Sequence, residues 1–239
     1  MVTKNQIKLV TSLQQKKYRT KHGLFVAEGK KVVGELLDAG FKTYQLFVDD
    51  VELTAHFQGA EMVSTKMLKQ MGSMANPSGI LGVFHIPEVK KISETDWILA
   101  VDAVRDPGNL GTIIRLCDWF GIKNLFCTAD TVDCYNPKVL QATMGSIARV
   151  NVIYVDLLHY LETTSLPIYG AFMQGERVYG KSLPDKGILV MGNEANGISA
   201  EISALIKERI AIPQFGDATA ESLNVATATA ILLSEIRRN

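Results

Sequence analysis

The sequence predicts an α/β fold in which a parallel sheet in the C-terminal part of the chain follows a smaller α/β domain. After Trp97, short runs of valine, isoleucine and leucine alternate with segments whose apolar residues recur at helical spacing. Apolar strands that alternate with helices indicate a parallel sheet covered by helices on both faces. Hydrophobic residues make up 47% of the 239 residues and charged residues 21%, which is enough apolar material for a buried core.

The smaller domain is predicted from the first part of the chain. Ser64 is a typical N-cap for the helical segment that follows it. Residues 85–96 are polar, contain Pro87 and lack apolar periodicity, so we interpret them as a linker between an N-terminal domain (1–90) and a C-terminal domain (97–239). The predicted helices of the first domain are 4–15, 30–40 and 65–72, and its predicted strands are 23–29, 44–50 and 79–85.

The C-terminal domain shows the regular strand and helix alternation of a parallel sheet. Asn109 or Gly108 is expected to cap its first helix, which Gly121 ends, and Ser199 is expected to cap a later one. Open sheets of this kind bind ligands beyond the carboxyl ends of their strands. The predicted strands are 97–104, 124–129, 149–155, 166–173, 187–192 and 209–213, and the predicted helices are 109–121, 136–145, 199–208 and 222–238.

Several classes of protein are excluded by residue spacing. The three cysteines form no C-x-x-C pair and the four histidines are isolated, so we expect no metal and interpret the cysteines as small buried hydrophobic residues. The chain lacks the G-x-S-x-G, G-x-x-x-x-G-K-[ST] and G-x-G-x-x-G motifs, which argues against common hydrolases, NTPases and dinucleotide-dependent oxidoreductases. No apolar run is long enough to span a membrane, and no signal peptide is recognisable, so we expect a cytoplasmic protein.

Positive charge is concentrated at the N-terminus although the whole chain has a net charge of zero. Residues 1–31 contain eight lysines and arginines against a single acid, Glu28, which gives a local charge of +7. Such a cluster suits binding to a polyanion, because each phosphate contact releases counterions. A solvated helix face that binds nothing is an equally acceptable interpretation of lysines alone.

Three polar segments follow predicted strands, namely 102–115, 191–199 and 212–230. They contain N-x-G-x-x-x-R, then G-N-E-A-N-G, then I-P followed by S-L-N-V. In this order the motifs resemble the SpoU or TrmH branch of the SPOUT RNA methyltransferases. The N-terminal segment 16–33 also resembles the small substrate-binding domain found in many members of that family.

The resemblance implies a C-terminal trefoil knot that binds S-adenosylmethionine, and a homodimer formed through the same region. It implies methyl transfer to a ribose 2′-hydroxyl of rRNA or tRNA. The implied cofactor contacts are Gly192, Ile212 and Leu223, and the implied reacting residues are Asn109, Arg115, Glu194, Ser222 and Asn224.

Several of these residues also have a structural interpretation. Glycines in the loop could serve a tight turn with positive φ, and Glu194 could complement a helix dipole. Ser222 could cap the last helix, with Asn224 as a polar residue in its first turn. Arg115 lies six residues after Asn109, and we expect it nearly two turns along the same helix on a similar face.

The chemistry implied for Arg115 is electrostatic. An arginine side chain stays protonated in proteins and is a poor base, so we expect it to clamp a phosphate and to stabilise a developing alkoxide. The acceptor of the hydroxyl proton stays open. One departure from the family pattern is Gln141, which stands where many relatives carry arginine and leaves substrate contact through that helix undecided.

Two other functions compete with methyl transfer. An RNA-binding module of the same fold without turnover agrees with the basic N-terminus, but the implied reacting residues argue against it. An oxidoreductase lacks its glycine motif. The sequence names neither the RNA nor the nucleotide.

Overall fold

A computed structural model describes residues 2–216 and 222–238 of the chain. These residues form two compact units. The N-terminal unit contains the chain up to Glu88 together with Asp133–Ala148, and the C-terminal unit contains Val89–Val132 and the residues from Arg149 onward. The division into a substrate-binding domain (1–90) and a methyltransferase domain (97–239) stays a prediction.

The first part of the N-terminal unit is a four-stranded sheet with helices, as its predicted strands and amphipathic helices indicated. The strand order is β1-β4-β2-β3, in which β4 runs antiparallel to both of its neighbours and β3 runs parallel to β2. The elements are α1 (Lys4–Ser12), α2 (Lys16–His22), β1 (Leu24–Glu28), α3 (Lys30–Asp38), β2 (Thr43–Val48), α4 (Val51–His56), β3 (Glu61–Met62), α5 (Thr65–Met71) and β4 (Ile80–His85).

Three of these elements, α2, α4 and β3, were not predicted. The α2 segment KKYRTKH has almost no apolar periodicity, while α4 has six residues and β3 has two, too few to show a pattern. The predicted cap of α5 is confirmed, because the Ser64 hydroxyl accepts a hydrogen bond from the Met67 N–H.

The positive charge that the basic N-terminus offers to a ligand is smaller than predicted, because Arg19 is buried and paired. Its side chain is buried, and its Nε and Nη2 atoms donate to Oδ2 of Asp133 at 2.9 and 2.5 Å. Its Nη1 atom donates to the carbonyl oxygens of Leu13 and Gln14. Arg19 therefore connects Asp133 to the N-terminal helices, and one of the eight basic groups is not available to a polyanion.

The remaining elements include a six-stranded sheet in the C-terminal unit with the order β10-β8-β9-β5-β6-β7. Every pair in it is parallel, which confirms the predicted fold class. The elements are β5 (Ile98–Val101), α6 (Pro107–Trp119), β6 (Asn124–Cys127), α7 (Pro137–Thr143, in the N-terminal unit), β7 (Asn151–Tyr154), α8 (Leu157–Thr163), β8 (Ile168–Arg177), β9 (Ile188–Met191), α9 (Ala200–Leu205), β10 (Glu208–Ala211) and α10 (Val225–Ile236).

The core of the C-terminal unit lies around the central strands. Every residue of β5, β6 and β9 is buried, as a parallel sheet with two covered faces requires. Helix α10 packs against α6, and the buried residues of α6 include Ile113, Ile114 and Cys117. All three cysteines are buried, as expected for small core residues.

The parallel sheet places the carboxyl ends of β5, β9 and β10 at one edge. The segments that follow these strands are the three motif-bearing segments of the sequence. Strand order and register do not define how the chain threads through its own loops, so the trefoil knot stays a prediction. Among the residues described, no helix is long and apolar enough to cross a bilayer.

Candidate active site

The loop after β9 is a tight turn closed by its own backbone. Asn193 and Gly197 exchange two N–H to O=C hydrogen bonds of 2.9 Å each. The side-chain oxygen of Asn193 accepts hydrogen bonds from the N–H groups of Ala195 and Asn196, so this residue organises the turn.

The two glycines of this loop serve different purposes. Gly197 has a φ of 67°, as expected for a residue that turns the chain in the left-handed region. Gly192 is not among the residues with positive φ, which corrects that part of its structural interpretation. A Cβ atom on Gly192 would lie 2.2 Å from the carbonyl carbon of Gly197, so glycine is required there by the close approach of two backbones.

Asn193 and Asp102, which the sequence analysis did not single out, connect this loop to the end of β5. The Asn193 amide donates to the carbonyl oxygen of Ala103 at 2.6 Å, and the Ser199 N–H donates to the buried Asp102 carboxylate at 2.7 Å. A buried carboxylate needs hydrogen-bond donors. The position of Asp102 directly after a fully apolar strand could therefore have indicated, from the sequence alone, that this residue has a structural partner.

Helix α6 begins earlier than predicted. Its N-cap is Asp106, whose carboxylate accepts a hydrogen bond from the Asn109 N–H at 2.8 Å, and Pro107 occupies the first turn. The prediction that Asn109 or Gly108 caps this helix is therefore wrong. Because Asp106 caps the helix, the side chain of Asn109 is available for other contacts.

Hydrogen bonds join side chains from the three motifs. The Asn224 amide donates to Oδ1 of Asn109 at 2.9 Å, and the Asn109 amide donates to Oε1 of Glu194 at 2.7 Å. Asn224 is also the N-cap of α10, because its oxygen accepts from the N–H groups of Ala226 and Thr227. The structural interpretation in which Ser222 caps α10 and Asn224 lies in its first turn is therefore wrong.

The orientation of both amides follows from their partners. The Glu194 carboxylate can only accept, so the NH₂ group of Asn109 must face it. The oxygen of Asn109 then faces Asn224, which in turn must present its NH₂ group to Asn109 and its oxygen to the start of α10. This arrangement fixes the relative positions of the loop after β9, helix α6 and helix α10.

Arg115 and Ser222 are not part of this network. Six residues along a helix correspond to about 600°, which leaves Arg115 about 120° around α6 from Asn109 rather than on a similar face. Its side chain is exposed and makes no hydrogen bond or ion pair with another residue that the structure describes. Ser222 is exposed shortly before α10.

The residues implied for the cofactor offer backbone groups and apolar surface. Gly192 and Ile212 are half-buried and directly follow β9 and β10, while Leu223 is 49% exposed and precedes α10. Within the described part of the chain, no backbone hydrogen bond uses the peptide groups of these three residues. Free N–H and C=O groups beside aliphatic side chains suit the edge and face of an adenine ring.

The end of the neighbouring strand β6 carries a charged group. Thr128 accepts a hydrogen bond from the Ala103 N–H and donates one to Asp130 at 2.7 Å. This hydrogen bond lowers the pKa of the Asp130 carboxyl below its usual value, while burial acts in the opposite direction. In residues 2–216 and 222–238, no group of three histidine, cysteine, aspartate or glutamate side chains could hold a metal ion.

Known protein families and relatives match both parts of the chain. Residues 96–234 match the model of the SpoU rRNA Methylase family, and residues 4–82 match the MRM3-like substrate binding domain. A Bacillus subtilis protein named 23S rRNA (guanosine(2553)-2′-O)-methyltransferase RlmP is 33% identical over 98% of this chain and 97% of its own length.

Solved structures share the whole fold. A TrmH-family protein from Porphyromonas gingivalis, described as a putative RNA methyltransferase, is 39% identical with a TM-score of 0.89 over 100% of this chain and 99% of that one. An rRNA methyltransferase from Sinorhizobium meliloti, solved with AdoMet bound, is 30% identical with a TM-score of 0.86 over 100% of this chain and 96% of that one. With the family model matched across the C-terminal unit and the network joining its motifs, the chain belongs to the SpoU rRNA methylase family.

Proposed function

We propose that the network of Asn109, Glu194 and Asn224, together with Arg115 and Ser222, is the active site of this chain. The chain is an S-adenosylmethionine-dependent RNA methyltransferase that acts on a ribose 2′-hydroxyl of rRNA or tRNA. The observation that carries the assignment of the site is the hydrogen-bonded chain from Asn224 through Asn109 to Glu194, because it joins the motifs of three separate loops.

Gly192, Ile212 and Leu223 would hold the cofactor. When bound, S-adenosylmethionine supplies a methyl group already activated by its sulfonium. The peptide groups of the three residues would bind the adenine edge, and the absence of a Cβ atom on Gly192 lets the loop after β9 close against itself.

The network of amides and carboxylate positions these groups. Asn193 also donates to Glu194, at 3.4 Å from its Oε2 atom, so the carboxylate is held by two side chains as well as by the turn. A site fixed in this way loses little orientational freedom when substrate binds, and alignment is the main task in transfer from an activated methyl group.

Arg115 would act on the RNA. Its protonated guanidinium is exposed and free of ion pairs with the described residues, so it can reach a phosphate and lie near the reacting hydroxyl. There it would stabilise negative charge that develops on the oxygen. Ser222 lies two residues before Asn224, and its hydroxyl would supply a further polar contact at the same site. The proton acceptor is not assigned.

The test is transfer of a labelled methyl group to methyl-deficient native rRNA and tRNA by the wild-type chain and by Asn109→Ala and Asn224→Ala. We expect transfer by the wild type and a loss of about 100-fold or more in each variant. Asn76→Ala, at an exposed asparagine in the N-terminal unit, is the control and should transfer normally. A wild-type chain that binds RNA and cofactor without transfer would favour the non-catalytic binding module.

We further propose rRNA as the substrate class, the cytoplasm as the compartment and a homodimer as the working form. The relatives named above include a protein named for 23S rRNA, which supports rRNA over tRNA. The family resemblance supports the dimer, and an isologous two-fold interface is the usual arrangement. Mass mapping of ribose methylation tests the RNA class, and light scattering at tens of micromolar tests the dimer, which a strictly monomeric mass would contradict.

A further inference from the structure

An exposed cation lies near two aromatic rings in the C-terminal unit, outside the network described above. The guanidinium carbon of Arg177 is 5.5 Å from the centre of the Tyr179 ring and 5.7 Å from the centre of the Phe215 ring. Both distances fall within the range of cation–π contacts, roughly 6 Å. We call these three residues the Arg177 cluster. Phe215 is 75% exposed, so most of its ring faces solvent.

Strand pairing places this cluster beside the segment proposed to hold the cofactor. Arg177 is the Cα partner of Ala211, the last residue of β10, and Ile212 follows directly. The pairing of β8 with β10 is irregular just before this pair, because Arg209 pairs with Gly170 whereas Ile210 pairs with Glu176. Phe215 lies three residues after Ile212, so the cluster and the cofactor segment share the same end of β10.

The charge of Arg177 is not neutralised by its neighbours. The adjacent carboxylate of Glu176 pairs with Lys181, which also lies 3.3 Å from Glu208. Arg177 itself makes no ion pair or hydrogen bond with the described residues. A guanidinium held in place by aromatic rings therefore remains available to an anion.

We infer that the Arg177 cluster binds an unpaired nucleotide of the RNA substrate close to the methylated one, with the base stacked on Phe215 and a phosphate at Arg177. Exposed bases that stack on aromatic rings and guanidinium groups are the usual means of recognising single-stranded RNA. An apolar protein surface would fit less well, because it would bury the unpaired charge of Arg177. The inference rests on the proposed function, since it names a further contact for the same substrate.

The experiment measures binding of fluorescein-labelled single-stranded U10 RNA to the full chain by anisotropy. Phe215→Ala should weaken binding about tenfold, and Phe215→Trp should retain it, since any large aromatic face can stack. Arg177→Ala should weaken binding and reduce the slope of log affinity against log salt by about 0.7. The matched control is Trp119→Ala, which removes another exposed aromatic side chain, 82% exposed, from the same unit and should leave U10 binding unchanged.

Three results would overturn this inference. They are wild-type U10 binding by Phe215→Ala, an equal loss in Trp119→Ala, and conversion of a dimer into a monomer by Phe215→Ala, which would assign the cluster to a second copy of the chain. Methyl transfer by the wild type is measured separately. If U10 binding depends on Phe215 while the wild type transfers no methyl group, the proposed function fails and the RNA contact stands. If the wild type transfers a methyl group while U10 binding does not depend on Phe215, only the RNA contact is refuted.

Discussion

At the residue scale, the network proposed as the active site depends on asparagine rather than aspartate at position 109. Asn109 donates to the Glu194 carboxylate at 2.7 Å and accepts from Asn224 at 2.9 Å, so it uses both ends of its amide. An aspartate has the same shape but no donor when ionised, and it would bring two negative charges together. The need for one donor and one acceptor explains why an amide occupies the centre of the network.

Arg115 gives the sharpest catalytic prediction. Arg115→Ala should leave cofactor binding within a few-fold of wild type but lower single-turnover methyl transfer by about 100-fold or more, because one electrostatic stabiliser is lost. Arg115→Lys should recover only part of the rate, since an ammonium cannot hold a phosphate bidentately. The measurement uses labelled cofactor and methyl-deficient rRNA, and near wild-type transfer by Arg115→Ala would assign the residue to the ordinary surface.

Gly192 gives a prediction about cofactor binding. In Gly192→Ala the new Cβ would lie 2.2 Å from the backbone of Gly197, so the loop must shift and cofactor affinity should fall at least tenfold, about 1.4 kcal/mol. Titration calorimetry with S-adenosylmethionine measures the change. Gly34→Ala is the matched control, because its Cβ would meet nothing within 4 Å and cofactor affinity should stay the same. Equal affinities in both variants would contradict this account of the loop.

At the element scale, the proposed active site lies where buried parallel strands end and two helices begin. The ends of β5 and β9 are connected through Asp102 and Asn193, while Asp106 caps α6 and Asn224 caps α10. The ends of neighbouring parallel strands lie only one inter-strand spacing apart. Short polar side chains can therefore form hydrogen bonds from one loop to the next.

An ion pair joins the end of α10 to the residues before β5. Arg237 donates to both carboxylate oxygens of Asp96 at 2.8 and 2.7 Å, and also to the carbonyl oxygen of Phe120. Burial raises the pKa of Asp96, but hydrogen bonds from Arg237 and from the Trp97 N–H outweigh it, so the pKa lies below its usual value.

This lowered pKa predicts a pH-dependent contribution to stability. The contribution is fully present above the unfolded pKa of about 3.9 and is lost as the pH falls through the lower folded value. Because both side chains are about one-third exposed, Asp96→Asn should reduce the free energy of unfolding by only about 0.5–1 kcal/mol at pH 7. Urea unfolding at pH 7 and pH 3 should show this difference shrinking in acid, and an equal difference at both values would contradict the prediction.

At the scale of the whole molecule, the two compact units do not follow a single cut in the chain. Asp133–Ala148 belongs to the N-terminal unit, where Asp133 pairs with the buried Arg19 and the Tyr135 ring lies 4.5 Å from that of Phe25. Deleting the first ninety residues would therefore remove the partners of this segment. RNA capture by the N-terminal unit is better tested by neutralising charges in the intact chain.

The basic N-terminus predicts salt-dependent RNA binding. Replacing exposed lysines by glutamine should flatten the slope of log affinity against log salt by roughly 0.7–0.9 for each phosphate that the protein no longer neutralises, while cofactor affinity should barely change. Arg19 is left intact because it is buried and paired. An unchanged salt slope would assign the lysines to a solvated face. The lysines to be replaced are Lys4, Lys8, Lys17, Lys21, Lys30 and Lys31.

Local sequence was sufficient for the fold class and for most elements of the sheet. The burial of strands such as Ile98–Val101 and Ile188–Met191 can be predicted from their sequence, because a strand covered on both faces must be apolar throughout. The resemblance to the family identified the three motifs, and Asn109, Glu194 and Asn224 do lie together. These features were accessible because they depend on periodicity or on short fixed spacings.

Tertiary structure decided which residue contacts which. Arg19 looks like any other cation of the basic N-terminus until Asp133, over a hundred residues away in sequence, neutralises it. Asp106 rather than Asn109 caps α6, which leaves Asn109 to connect Glu194 with Asn224. The Arg177 cluster exists only because β8 pairs with β10. Periodicity records whether a residue is buried, but the partner of a polar side chain is set by the folded chain, where the cost of burying an unpaired group selects one arrangement.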